Sequence, residues 1–109
     1  MVIPETLEEC FIDLGKIFNK SQLEEFKTKS EDELAIYHFG IGLWMRNNWG
    51  LWAGSQLAKY FKGMGIFHAD DMSGIILTSF HRHLKGEEVR LDKQIKFYQE
   101  YWKRGSTAS

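Results

Sequence analysis

Hydrophobic residues recur at spacings of three and four along most of the chain, which is the period of an amphipathic α-helix. The first stripe contains Leu7, Cys10, Phe11, Leu14, Ile17 and Phe18. Later stripes run through Leu23 and Phe26, from Leu34 to Met45, from Leu57 to Phe61, from Met72 to Leu84 and from Leu91 to Trp102. Strand signals are scarce, because the β-branched run at residues 75–78 lies inside a helical stripe. The pattern therefore predicts an all-α fold.

Capping signals divide this pattern into separate helices. Ser or Thr precedes Glu by three positions, as in a capping box, at three sites: Thr6 with Glu9, Ser21 with Glu24, and Ser30 with Glu33. The helix that starts after Ser30 is expected to continue to Met45. Asn47 and Asn48 then break it, since Asn favours caps and turns. Three further helices are expected: from Trp49 or Gly54 to about Gly63, from His68 to Gly86, and from Leu91 to Arg104, which Gly105 ends.

The length of 109 residues suits one hydrophobic core. We expect a single compact bundle of five to six helices within residues 1–105, followed by a frayed C-terminal tail at residues 106–109. The single cysteine excludes an internal disulfide. Cys10 lies on the first apolar stripe, so we interpret it as part of the core rather than as a nucleophile.

Charge narrows the choice of partners. Fourteen Lys and Arg against 15 Asp and Glu give a net charge of −1, which offers no electrostatic argument for nucleic acid. The chain shows neither a signal peptide nor a window of about 18 apolar residues, so we expect a cytoplasmic protein without a membrane partner. Residues 1–33 carry a net charge of −5 and residues 81–104 one of +3. Helix dipoles explain this asymmetry, and a bipolar docking surface is the alternative.

The segment from His38 to Trp52 carries the candidate chemistry. On a continuous helix, His38, Gly42, Arg46 and Trp49 share one face. Such a face offers a gap at the glycine, a guanidinium for phosphate or carboxylate, and an indole for stacking, which suits a small anionic or planar ligand.

A structural explanation of the same residues stays open. The glycines at 40 and 42 would then only permit close helix packing, the tryptophans would fill the core, and Arg46 would pair with Asp70 or Asp71. If Arg46 and His38 are fully engaged in a buried network of this kind, the pocket hypothesis fails.

Four segments combine His, Arg, Asn or Asp with aromatic or glycine neighbours: Tyr37–Gly40, Arg46–Trp52, Gly65–Ser73 and His81–Arg82. Together they resemble an uncharacterised bacterial domain family with an H-F-G, R-N-x-W-G-L-W and H-P-D-D-M-S signature and an aromatic final helix. The resemblance covers residues 30–103, with Ala69 in place of the proline. It implies no activity, but it implies a polar set: His38, Arg46, Asn47, Asn48, Trp49, His68, Asp70, Asp71, His81 and Arg82.

Catalytic and metal chemistry find little support. No nucleophile elbow, phosphate loop or zinc motif is present, and no two His residues have the spacing that places both on one helical face. His68 with Asp70 is better explained as a helix start with acids in its first turn. We therefore predict no catalytic residue, no metal and no cofactor.

The preferred hypothesis is a non-enzymatic binding module that holds, and thereby sequesters, a small anionic or nucleotide-like ligand. The predicted ligand-binding residues are His38, Gly42, Arg46, Asn47, Asn48, Trp49, Trp52, His68, Asp71, His81 and Arg82. The alternative is an inhibitor or immunity-type domain that docks on a protein partner, and a small acid/base hydrolase ranks third. Sixteen aromatic residues in so short a chain also favour self-association into a homo-oligomer.

Overall fold

The computed structural model describes residues 2–107, and in that range it contains six α-helices and no strand. The helices are α1 (Leu7–Ile17), α2 (Lys20–Thr28), α3 (Leu43–Asn48), α4 (Gln56–Lys62), α5 (Ala69–Leu84) and α6 (Leu91–Thr107). The Cα radius of gyration is 13.8 Å, close to the roughly 13 Å of a compact domain of this size. The predicted all-α fold and the upper end of the predicted helix count are confirmed.

The first two helices begin at different kinds of cap. The Thr6 side chain accepts a hydrogen bond from the Glu9 backbone N–H at 3.3 Å, as the sequence predicts. The start predicted at Ser21 is wrong, because the cap lies two residues earlier, at Asn19, and α2 begins at Lys20. Asn19 and Gln22 form the reciprocal capping box at 2.8 and 2.9 Å. Asn is at least as good an N-cap as Ser, so the earlier pair determines the start.

The segment between α2 and α3 is helical but kinked. Ser30 and Glu33 form the predicted capping box, yet the helix that follows, Asp32–Tyr37, is a 3₁₀-helix. A π-helical turn, His38–Gly42, comes next, and Gly40 inside it has φ −95° and ψ −105°, outside the helical region. The predicted continuous helix from Ser30 to Met45 is therefore wrong. Beside the kink, the Arg46 side chain donates a hydrogen bond to the His38 carbonyl.

The core is organised around α5, which packs against α1, α2, α3, α4 and α6. Its buried side chains include Met72, Ile75, Ile76 and Phe80, and the Phe80 ring contacts the rings of three phenylalanines, Phe11, Phe18 and Phe26. Cys10 is completely buried in this core. Burial raises the pKa of its thiol far above the ordinary value, which agrees with packing rather than nucleophilic chemistry.

The remaining boundaries differ from prediction by a few residues. Residues 49–55 form a turn with Gly50 and Gly54 at positive φ, so α4 begins only after Ser55 caps it. The last helix continues past Gly105 to Thr107. The final two residues of the predicted frayed tail lie outside the described range. Within residues 2–107, no helix combines the length and the apolar character needed to cross a membrane.

Candidate functional site

The Arg46 guanidinium is the most enclosed charge of the predicted site, with only 2% of the residue exposed. Nη1 donates to the Ser73 hydroxyl at 2.8 Å and Nη2 donates to the His38 carbonyl at 2.9 Å. Nε lies 3.3 Å from Oδ1 of Asp70. We call Arg46, His38, Ser73 and Asp70 the Arg46 network. It joins the kinked segment and α3 to the first turns of α5, so the cation is held by the protein itself.

The gap at Gly42 is filled by the same guanidinium. A Cβ atom on Gly42 would lie 3.0 Å from the Tyr37 carbonyl oxygen and 3.2 Å from Arg46 Nη1. The His38 ring is also close, with Nδ1 3.4 Å from Arg46 Nη1 and Nε2 3.9 Å from Asp70 Oδ1. The structure thus brings together His38, Gly42 and Arg46 as predicted, but their contacts with one another occupy the space proposed for a ligand.

The aromatic and amide residues near Arg46 make contacts with one another and with the nearby backbone. Trp49 is 1% exposed, and its ring meets the Trp44 ring edge-on, so it offers no stacking surface. Asn47 accepts a hydrogen bond from the indole N–H of Trp52 at 3.1 Å. Asn48 donates to the Trp44 carbonyl at 2.9 Å. Trp52 is 60% exposed, and its ring centroid lies 5.9 Å from Arg46 Cζ.

His81 and Arg82 join the second half of α5 to two loops. His81 is completely buried, and its Nε2 donates to the Lys29 carbonyl at 2.8 Å. Arg82 binds both carboxylate oxygens of Glu31, at 2.8 and 2.9 Å, and also donates to the Val89 carbonyl. The hydrogen bonds and the charge of Arg82 lower the pKa of Glu31. Both residues are therefore engaged within the fold and are separated from the Arg46 network along α5.

The other predicted residues, His68 and Asp71, lie in a half-open cleft between the start of α5 and α6. The cleft has a volume of about 240 Å³ and is lined by Gly65, Ile66, Phe67, His68, Asp71, Tyr98, Gln99 and Trp102. The His68 and Trp102 rings stack with centroids 3.9 Å apart. The indole N–H of Trp102 donates to Oδ2 of Asp71 at 2.7 Å. We call this feature the Trp102 cleft.

Two glycines give the Trp102 cleft its shape. A Cβ atom on Gly74 would lie 3.0 Å from the Tyr98 hydroxyl oxygen, so the glycine allows the tyrosine to pack directly on α5. Gly65 has φ +89°, and the Gln99 side chain lies against the position that its Cβ would take. The sequence pattern predicts Tyr98 and Trp102 only as core residues. The available signal was the cluster of aromatic residues from Phe97 to Trp102 on one short stretch of the last helix.

The Trp102 cleft combines aromatic faces with one carboxylate. Among the described residues, no Lys or Arg lines it. Burial and the Asp71 carboxylate raise the pKa of the Tyr98 hydroxyl, which therefore stays protonated at neutral pH. Within residues 2–107, no group of three or more His, Cys, Asp or Glu side chains is placed to hold a metal ion. The arrangement is suited to binding an apolar or aromatic molecule.

A model of a domain of unknown function, DUF6794, matches residues 3–84. The chain belongs to this family. The sequence-based resemblance to an uncharacterised domain family is thereby confirmed, with a match that begins earlier and ends before α6. No curated protein and no solved structure matches the chain. The DUF6794 match contains the whole Arg46 network, whereas the Trp102 cleft takes Tyr98, Gln99 and Trp102 from α6, beyond the matched residues.

Proposed function

We propose that this DUF6794 protein is a non-enzymatic binding module that holds a small molecule in the Trp102 cleft. The observation that carries the proposal is a concave, mostly apolar site in which two aromatic rings, Tyr98 and Trp102, surround a carboxylate fixed by an indole N–H. Such a combination of apolar walls and few oriented polar groups is typical of small-molecule sites. His68 and Asp71 are the sequence-predicted residues that contribute to it.

The geometry offers less support for an anionic ligand on Arg46. That guanidinium already has Ser73, the His38 carbonyl and Asp70 around it. An anion would have to displace these partners, and the buried groups left behind would lose their hydrogen bonds. These contacts count against the sequence-based pocket hypothesis at Arg46, although Arg46 Nε has no hydrogen-bond partner among the described residues and the Asp70 side chain is 59% exposed. The binding-module proposal therefore moves to the cleft beside α6.

A fluorescence titration with 2-phenylethanol tests the proposal. A probe of about nine non-hydrogen atoms should bind with a Kd near the millimolar range. We expect the probe to change tryptophan emission in the native protein and in Trp52→Ala, which removes an exposed indole elsewhere. Trp102→Ala should lose the response while keeping its helical circular dichroism. Equal responses from the two variants would overturn the assignment of the site.

Protein docking is the second candidate function, because several large apolar side chains face solvent. Phe39 is 80% exposed, and Phe97 and Tyr101 on α6 are 58% and 53% exposed. Exposed aromatics are typical anchors of protein interfaces. This supports the inhibitor or immunity-type alternative and the predicted homo-oligomer. Native mass spectrometry of the protein purified from its own cells tests all three, because a retained small molecule, a partner chain and a second copy differ in mass.

The proposed setting is the cytoplasm of a bacterium. The single thiol of Cys10, buried and unpaired among the described residues, agrees with a compartment that keeps thiols reduced. Fractionation of the native cells, followed by immunodetection, measures this location directly. Recovery in the culture medium or in an envelope fraction would contradict the proposed setting.

A further inference from the structure

We propose that the ligand of the Trp102 cleft is an organic cation, an ammonium group carried by a flat or compact apolar body. This inference rests on the proposed function and specifies its ligand class. It reverses the sign of charge that the sequence pattern favours. Three features carry it: the Asp71 carboxylate, the groove that adjoins the cleft, and the aromatic rings.

Asp71 gives the Trp102 cleft a negative charge that no ion pair balances in the described part of the chain. Its Oδ2 accepts the Trp102 indole hydrogen bond, which fixes the orientation of the carboxylate without neutralising it. Within residues 2–107, the ion pairs include none to Asp71. The charge also acts on its neighbour, since it contributes to the raised pKa of Tyr98. A ligand with a positive charge would supply the missing partner.

A second groove extends this negative charge along α5. It has a volume of about 460 Å³, and it shares Asp71 and Tyr98 with the Trp102 cleft. Its lining includes Asp32, Glu31 and Asp70, and in the described part of the chain it contains neither Lys nor Arg. Arg46 forms an ion pair with Asp70, and Arg82 forms one with Glu31. Asp32 also lines a neighbouring groove with Arg82, Arg90 and Lys93, so the negative charge that remains where the groove meets the cleft is that of Asp71.

Aromatic rings complete the recognition of a cation. Trp102 is 43% exposed and stacks on His68, and Tyr98 lines the same cleft. The negative faces of indole and phenol rings attract ammonium groups, and tryptophan is the strongest of them. An aromatic wall beside a carboxylate is thus complementary to an ammonium ion with an apolar body.

The N-terminus of α5 opposes the binding of a cation, because the helix dipole places about half a positive charge there. Asp70 and Asp71 occupy its first turn and contribute a full negative charge each. Arg46 offsets only Asp70. The local balance at the cleft is therefore negative.

An NMR titration with three matched probes tests this inference. 2-Phenylethylamine, 2-phenylethanol and phenylacetate share a phenyl ring and a short chain but differ in charge at pH 7. We expect the amine to bind about tenfold more tightly than the alcohol, and phenylacetate to bind most weakly. Asp71→Asn keeps a hydrogen-bond acceptor for Trp102 but should reduce the advantage of the amine to about twofold. Asp92→Asn, which removes a carboxylate from the first turn of α6, is the matched control and should change nothing.

The outcomes separate this inference from the proposed function. If the alcohol and the amine bind equally, the cleft binds small molecules but has no preference for cations, and only the inference is overturned. If phenylacetate binds most tightly, the α5 N-terminus selects anions, and the inference is again overturned. If none of the three probes shifts any signal of the cleft, the proposed function is overturned together with the inference. Because the comparison is made first in the native protein, it does not depend on the folding of a variant.

Discussion

The Arg46 network and the Trp102 cleft lie at the same end of α5 but use their polar groups differently. In the network, a guanidinium that is 2% exposed is surrounded by Ser73, Asp70 and a backbone carbonyl. In the cleft, a carboxylate and two aromatic rings line a volume of about 240 Å³ that is open to solvent. In the first arrangement the guanidinium is in contact with groups of the protein itself, whereas the second leaves an open cleft and a carboxylate without an ion pair among the described residues. In this protein, the unusual residues around Arg46 contribute to packing, so an unusual sequence segment does not by itself indicate a binding site.

The difference also concerns how the two regions depend on distant parts of the chain. The Arg46 network ties the kinked segment to α5, so removing a member leaves buried groups without partners. The cleft forms where α6 packs over Gly74 and Gly65, so it depends on side chains brought from the end of the chain. We expect mutations in the network to change mainly stability, and mutations in the cleft to change mainly binding. Substitutions in both regions test this contrast.

Replacement of Arg46 should have the largest effect on stability. Arg46→Met leaves Asp70 and the His38 carbonyl without the guanidinium, and we expect a loss of about 3 kcal/mol, at the low end for a broken buried pair because Asp70 is half exposed. Arg46→Lys keeps the charge but loses the forked geometry, so its loss should be smaller. Urea unfolding followed by circular dichroism measures both. A loss below about 1 kcal/mol for Arg46→Met would show that the network is not structural.

Two glycine substitutions compare the regions at the same closest distance. A Cβ atom at either Gly42 or Gly74 would lie 3.0 Å from an oxygen. At Gly42 that oxygen belongs to the Tyr37 backbone, so Gly42→Ala should cost about 2 kcal/mol. At Gly74 it belongs to the Tyr98 side chain, which can move, and alanine is favoured over glycine inside α5 by about 1 kcal/mol.

We therefore expect Gly74→Ala to leave stability almost unchanged while it shifts Tyr98 and weakens probe binding in the cleft. Thermal unfolding of the two variants, with a 2-phenylethylamine titration of each, provides the comparison. Equal destabilisation by both substitutions would contradict the distinction between a rigid network and an adaptable cleft.

Trp102→Phe should separate binding from stability. The substitution keeps a ring but removes the indole N–H that holds Asp71. Because Trp102 is 43% exposed, we expect a loss of only about 1 kcal/mol in the free energy of unfolding. The affinity for 2-phenylethylamine should fall severalfold, since the carboxylate is no longer oriented. Calorimetry gives the affinity and urea unfolding gives the stability, with Trp52→Phe as the control that should change neither appreciably.

The ion pair between Glu31 and Arg82 should give the smallest effect, visible as a pH dependence. The Glu31 pKa is lowered in the folded protein by Arg82. The stabilisation is therefore present above the ordinary glutamate pKa and is lost as the pH falls through the lowered pKa. Because the pair is partly exposed, it contributes at most about 1 kcal/mol. Urea midpoints at pH 7 and pH 3 should therefore differ more for the native protein than for Glu31→Gln. An identical difference would contradict the assignment.

The sequence predicts the helices well where local signals decide them. The Thr6 cap and the acids that begin α5 specify their helices through contacts within one turn. The kink at Gly40 has no such local signal, and the Arg46 side chain that binds the His38 carbonyl beside it lies eight residues away in sequence.

The candidate site is harder to predict from the sequence than the helices are. Spacing correctly places His38, Gly42 and Arg46 together, but spacing contains no information on whether the gap between them is empty or filled. Tyr98 and Trp102 follow the periodicity of a core stripe, although α6 leaves part of Trp102 exposed. Which aromatic residues remain uncovered depends on the packing of α5 and α6, and the pattern of a single helix does not specify that packing.

The indole N–H signals of the four tryptophans give the most direct test of where the protein binds. Trp102 reports on the cleft, Trp52 lies over Arg46, and Trp44 and Trp49 report on the packing around α3. In a titration of the ¹⁵N-labelled protein with 2-phenylethylamine, we expect the Trp102 signal to move and the other three to stay in place. Movement of the Trp52 signal with a stationary Trp102 signal would contradict the account and return the binding site to Arg46.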